Sequence, residues 1–118
     1  DLSQLATSYP VHRLRFYHPR LPWYIDVCAS QLNGVLVGDV LHQMHEKLQQ
    51  PISPSDFYND VLSAGDREVI TYAYRARCAD RVDVLQQGVR WVDYLGPHVI
   101  LRGIVAGKNG MWLMKTRR

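Results

Sequence analysis

The stretch GVRWVDYLG, Gly88 to Gly96, decides how this chain is read. Before it, apolar residues recur at three- and four-residue spacing; from it onward they alternate. A period of two sends odd and even positions to opposite faces of a strand. Val89, Trp91, Asp93 and Leu95 then share one face, and the carboxylate of Asp93 stands in an otherwise apolar row. The expectation is a strand closed at each end by a glycine.

Two further β-rich segments follow, HVILRGIVA (98–106) and MWLMK (111–115), divided by Gly96-Pro97 and Lys108-Asn109-Gly110. Asn-Gly tolerates the positive φ of a tight hairpin turn. Near the start, HRLRFYH (12–18) alternates between Pro10 and Pro19. LPWYIDV (21–27) puts Trp23, Ile25 and Val27 on one face, with Tyr24, Asp26 and Cys28 on the other.

Helical spacing fills the middle. In VGDVLHQMHEKLQQ (37–50) the residues Val37, Val40, Leu41, Met44 and Leu48 form one apolar stripe, and Pro51 ends it. SPSDFYNDVL (53–62) opens with Ser at the N-cap, Pro at the first helical position and Asp two places on, a start signal; Phe57, Val61 and Leu62 face inward. After a break at Gly65, DREVITYAYRARCADR (66–81) buries Val69, Ile70, Ala73 and Ala76. The order is β-β-α-α-α-β-β-β. That order predicts an α+β fold, a mostly antiparallel sheet of about four to five strands with three helices packed on one face. The 118 residues suffice for a single domain over 1–118, with 1–20 as an N-terminal arm or strand and 116–118 as a basic tail.

Composition is that of a globular chain, 47% apolar and 21% charged, and no apolar run reaches the length of a membrane span. Cys28 and Cys78 form no CxxC pair and read as reduced, mostly buried thiols of an intracellular protein, cytoplasmic or nuclear. Charge is uneven. Residues 26–93 carry ten acids against six bases, whereas Arg13, Arg15 and Arg20 precede them and Arg102, Lys108, Lys115, Arg117 and Arg118 follow. If the terminal strands are neighbours, Arg13, Arg15, Lys115, Arg117 and Arg118 pool into one patch that suits an anionic partner.

The chemistry-bearing patterns are sparse. His42 and Glu46 stand at i, i+4 on the first helix, but HQMHE is not a zinc frame and supplies no third ligand. No G-x-S-x-G nucleophile turn and no phosphate-cradling glycine pattern occurs. No catalytic residue, metal site or cofactor is therefore expected. Alternation in the last three segments instead places Arg90, Tyr94, Arg102 and Trp112 on one exposed sheet face, where aromatics with Arg are typical binding anchors.

Asp93 calls for a partner. On the third helix Arg77 lies about 50° from the centre of the buried side at about 100° per residue. A guanidinium there needs an acceptor. Asp93 is the first candidate and Asp26, set among the residues of LPWYIDV, the second; either makes a structural ion pair tying helix to sheet.

LPWYIDV, VGDVLHQMHEKLQQPIS, YAYRAR and GVRWVDYLG occur in an order that resembles a family of uncharacterised fungal domains, abundant in mushroom-forming basidiomycetes and known only as a domain of unknown function. The resemblance covers roughly residues 20–115 and implies a common fold and a fungal, intracellular setting. It implies no activity. The functional expectation is a protein- or peptide-binding or scaffolding module using the exposed sheet face, its partner a protein or peptide, an acidic one fitting the basic ends. A nucleic-acid-binding domain is the alternative, an enzyme the third reading, and no membrane partner is expected. The oligomeric state is open.

Overall fold

The computed structural model of the chain describes residues 1–58 and 61–118. Strands β1 (Arg13–Tyr17) and β2 (Ile25–Cys28) come first, then helices α1 (Val37–Leu48), α2 (Pro54–Phe57), α3 (Ala64–Cys78) and α4 (Val82–Leu85). A 3-10 helix (Trp91–Leu95) leads into β3 (Ile100–Ala106), and the turn Lys108–Gly110 into β4 (Trp112–Arg117). The fold is α+β: one four-stranded, mostly antiparallel sheet, ordered β2-β1-β4-β3, with helices. The segments group into two compact units, Asp1–Lys47 with Leu101–Thr116 and Leu48–Ile100 with Arg117–Arg118.

The first unit holds the sheet. β1 and β2 pair antiparallel with Arg15 opposite Asp26 and Arg13 opposite Cys28. β1 and β4 pair parallel with Phe16 beside Trp112 and Tyr17 beside Leu113. Strand parity then sorts the side chains. Leu14, Phe16, Ile25, Val27 and Met114 are buried on one face. Leu14, Phe16, Ile104 and Trp112 share a hollow of about 170 Å3 with Val37, Val40 and Leu41, so α1 covers that face. The first residues are tied down as well: Leu2, Gln4 and Ala6 bond to the backbone between Val35 and Gly38.

The second unit is helical. Ser53 and Ser63 cap α2 and α3, each accepting from the N–H of an Asp three residues on whose carboxylate answers the cap's own N–H. Of the helix expected over 53–62, residues 59 and 60 lie outside the described residues, and α2 ends at Phe57. Gly65 does not break α3; it sits in its first turn, because the cap is Ser63. Ile70 and Cys78 are buried, while Val69 is 41% exposed, so the buried side is narrower than the stripe Val69–Ala76 suggested.

GVRWVDYLG is not a strand. Only the residues leading into Trp91 pair as a strand would, with Arg90 extended: Ile52 N–H donates to the Val89 carbonyl, Trp91 N–H to the Gln50 carbonyl, and Pro51 bridges Arg90. The chain then coils at once, because the Asp93 carboxylate accepts the Arg90 N–H at 2.8 Å and Asp93 N–H returns to the Arg90 carbonyl at 3.0 Å. An Asp three residues past the first turn residue offers the backbone a partner that a ladder would otherwise supply. Gly96 closes the turn with φ 61°. Tyr94 and Leu95 are consequently both buried, which strict alternation forbids.

Candidate functional site

The sequence-derived patch divides. Arg102 lies exposed on β3 and Trp112 half-buried on β4. Arg90 and Tyr94 are not on the four-stranded sheet: Arg90 is the N-cap of the 3-10 helix of the second unit and Tyr94 lies within it. Arg90 donates to the side-chain carbonyls of Gln49 and Gln87. Tyr94 is 2% exposed, donates its hydroxyl to the Asp56 carbonyl at 3.0 Å, and is pushed up to about 12 by burial. The correction has one cause, the coiling of residues 91–95. Trp112 faces the α1 side, the opposite face from Arg13, Arg15 and Tyr17.

Arg77 and Asp93 are joined in the second unit. Arg77 Nε donates to Oδ1 and Nη2 to Oδ2, both at 2.8 Å, and Nη2 also reaches the Gly88 carbonyl at 3.2 Å. With the Arg90 amide, three donors occupy the Asp93 carboxylate, which is 2% exposed. The carboxylate beside it holds the Arg77 guanidinium above its ordinary pKa. The pair lines a groove of about 820 Å3 whose walls include Val69, Tyr72 and Ala76 of α3 with Val92, Pro97 and Val99. A carboxylate so engaged orders the turn. Asp26 pairs elsewhere, with Arg15 across the β1–β2 ladder at 2.7 and 3.0 Å, and this lowers the Asp26 pKa.

The face of the sheet away from α1 carries the concentrated charge. Arg13, Arg15 and Tyr17 of β1 share it by parity, and Leu113 beside Tyr17 puts Lys115 there too. Asp26 is the acid of this face among the described strand residues, already matched by Arg15. Arg15 lies over the Tyr24 ring at 5.0 Å, and Lys108 over the Tyr17 ring at 5.3 Å. Tyr17 also anchors the β3–β4 turn. Its hydroxyl accepts the Lys108 N–H at 3.2 Å, and a Cβ on Gly107 would sit 2.4 Å from that hydroxyl, so any larger residue there must push the ring aside. Asn109 and Gly110 take φ of 55° and 74°, as the Asn-Gly pair predicts. Arg13, Arg15, Tyr24, Asn109 and Gly110 border an open depression of about 450 Å3.

Of the bases expected to pool, Arg13, Arg15 and Lys115 share this face because β1 and β4 are adjacent, with Lys115 beyond the Tyr17 end of β1, whereas Arg117 and Arg118 group with the second unit. Lys108, Tyr17 and Tyr24 complete the face. Their signal was present in HRLRFYH, where Arg13, Arg15 and Tyr17 alternate with the apolar Leu14 and Phe16. His42 Nε2 and Glu46 Oε1 stand 3.0 Å apart on the exposed side of α1. Cys28 is exposed rather than buried, Cys78 is buried, and both are free thiols. Among the described residues no helix is long and apolar enough to cross a membrane. Neither the curated proteins nor the solved structures yield a match to this chain. A family model described as a family of unknown function, DUF6699, matches residues 1–110, and the chain belongs to that family.

Proposed function

We propose that this domain is a binding module whose open sheet face docks an acidic segment of a partner protein. The observation that carries the reading is the adjacency of β1 and β4, which lines Arg13, Arg15 and Lys115 along one face, opposite the face that α1 covers. Lys108 and the rings of Tyr17 and Tyr24 add a cation and flat apolar surface beside it. Arg with aromatic neighbours is the composition of interface anchors. The free thiols Cys28 and Cys78 support an intracellular, cytoplasmic or nuclear, setting.

The test is fluorescence anisotropy with a labelled Glu-rich peptide, run beside a single-stranded oligonucleotide across a salt series. Arg13→Glu with Lys115→Glu leaves the exposed fold intact and weakens peptide binding about tenfold or more. Unchanged peptide affinity in that variant overturns the reading. Tighter binding of the oligonucleotide with a steep log-salt slope replaces it with the nucleic-acid alternative.

A further inference from the structure

The sheet ends in two edges, β2 and β3, and the fold treats them differently. On β2, Ala29 N–H donates to the His12 carbonyl, so by the alternation of an antiparallel pair the N–H and C=O of Cys28 point away from β1. The Gln43 side chain of α1 takes both: its carbonyl accepts Cys28 N–H at 2.9 Å and its amide donates to the Cys28 carbonyl at 2.7 Å. A carboxamide thus stands where a further strand would pair, and this edge is closed.

Among the described residues no side chain caps the β3 edge in this way. ILRGIVA is seven residues long, contains no proline and carries one charge, Arg102. Gly107 N–H donates to the Met111 carbonyl, so the same alternation turns the polar groups of Arg102, Ile104 and Ala106 away from β4. Among the described residues no backbone bond outside the sheet reaches them. Natural proteins usually blunt such an edge, since it templates an added strand.

Gly103 points the same way. Its φ is not positive, and a Cβ there would meet nothing within 4 Å. The fold does not require glycine, which weakens a strand interior and often marks the close approach of another backbone. Its absent side chain leaves a notch between Leu101 and Val105 on the face that carries Lys115.

Charge selects the occupant. Arg102 sits on one side of the edge, and Lys115 of the adjacent strand on the other. Pairing with a second copy sets the two Arg102 side chains on one face, a like-charge cost. We infer that the free edge of β3 takes up an extended acidic segment of a partner protein as an added strand, a mode that rests on the binding role proposed above. Main-chain bonds to Arg102, Ile104 and Ala106 supply affinity, and alternate acidic side chains supply selectivity.

The experiment compares a peptide of about twelve residues alternating Glu and Val with two versions N-methylated on alternate backbone nitrogens. Strand addition uses one set of peptide N–H groups, so one methylated version loses about tenfold or more in affinity while the other binds as the parent does. Amide exchange at Arg102, Ile104 and Ala106 slows when the parent is bound. Gly103→Val keeps the melting temperature and loses peptide affinity. Equal binding of all three peptides with no slowed exchange overturns strand addition and leaves face docking standing. A parent peptide that does not bind overturns both. Slowed exchange at these amides through self-association alone, seen by sedimentation, overturns the choice of occupant.

Discussion

Asp93 does two things with one carboxylate: it pairs with Arg77 and it fastens the Arg90 amide that starts the 3-10 helix. Removing one member of a buried pair strands the other, which typically costs about 3–5 kcal/mol. Asp93→Ala and Arg77→Ala should each lower the unfolding free energy measured in urea by that order, and the double variant should lose less than the sum. Asp93→Ala should be the worse of the two, because it also frees the Arg90 N–H. Tyr94 gives a second test. Its buried phenol is pushed up to about 12. A group whose native pKa lies above its unfolded value, here about 10, contributes fully below the unfolded value. That contribution fades as pH rises from about 10 through about 12. Tyr94→Phe should flatten this alkaline decline in unfolding free energy, and should itself cost about 1 kcal/mol through the lost bond to the Asp56 carbonyl.

Elements are set by their ends. At the start of α1, Asp39 accepts the N–H of Leu36 at 2.9 Å and of Ser30 at 3.2 Å, and these bonds hold its carboxyl below the ordinary carboxylate range. A depressed native pKa contributes stability above about pH 4 that is lost as pH falls below it. Asp39→Asn should remove that part of the acid limb in a series of thermal melts. Ser63→Ala unbinds the Asp66 N–H and should cost about 1 kcal/mol. The β3–β4 turn depends on a bare glycine. Gly107→Ala drives a methyl into the Tyr17 ring and should cost about 1–3 kcal/mol. Tyr17→Ser should relieve part of that loss in the double variant, measured by chemical unfolding.

Charge is divided by unit across the whole molecule. Residues 1–47 and 101–116 hold seven bases against four acids, and the rest seven against seven, so the whole net charge of +3 resides in the unit with the sheet. Exposed charges are screened beyond the Debye length, about 8 Å at physiological salt and about 3 Å at 1 M. Acidic-peptide affinity should therefore fall steadily between these conditions in wild type and hardly at all in the Arg13→Glu, Lys115→Glu variant. Equal salt slopes in both would place the contact elsewhere.

What the sequence by itself determined is whatever local geometry controls. The parity of HRLRFYH and LPWYIDV sorts Phe16, Ile25 and Val27 inward and Arg13, Arg15 and Asp26 outward. Ser53 caps its helix, and Asn109-Gly110 turns the final hairpin. The helical step sends Arg77 toward the interior, since 100° per residue needs no partner to hold. Which acid meets it is a tertiary matter: Asp93 does, because Arg15 lies directly across the ladder from Asp26. Tertiary structure also decided the fate of GVRWVDYLG. Its alternation suits a strand, but a strand needs a neighbour along its length, and among the described residues only 50–52 pair with its backbone as a strand would. Beyond Trp91 the chain satisfies its backbone through Asp93 and coils. The binding face has the same origin, because no local rule places residues 13–17 beside residues 112–117, ninety-odd positions apart. Loop closure over that distance is repaid by burying Phe16 and Met114 together, and the exposed bases follow their strands.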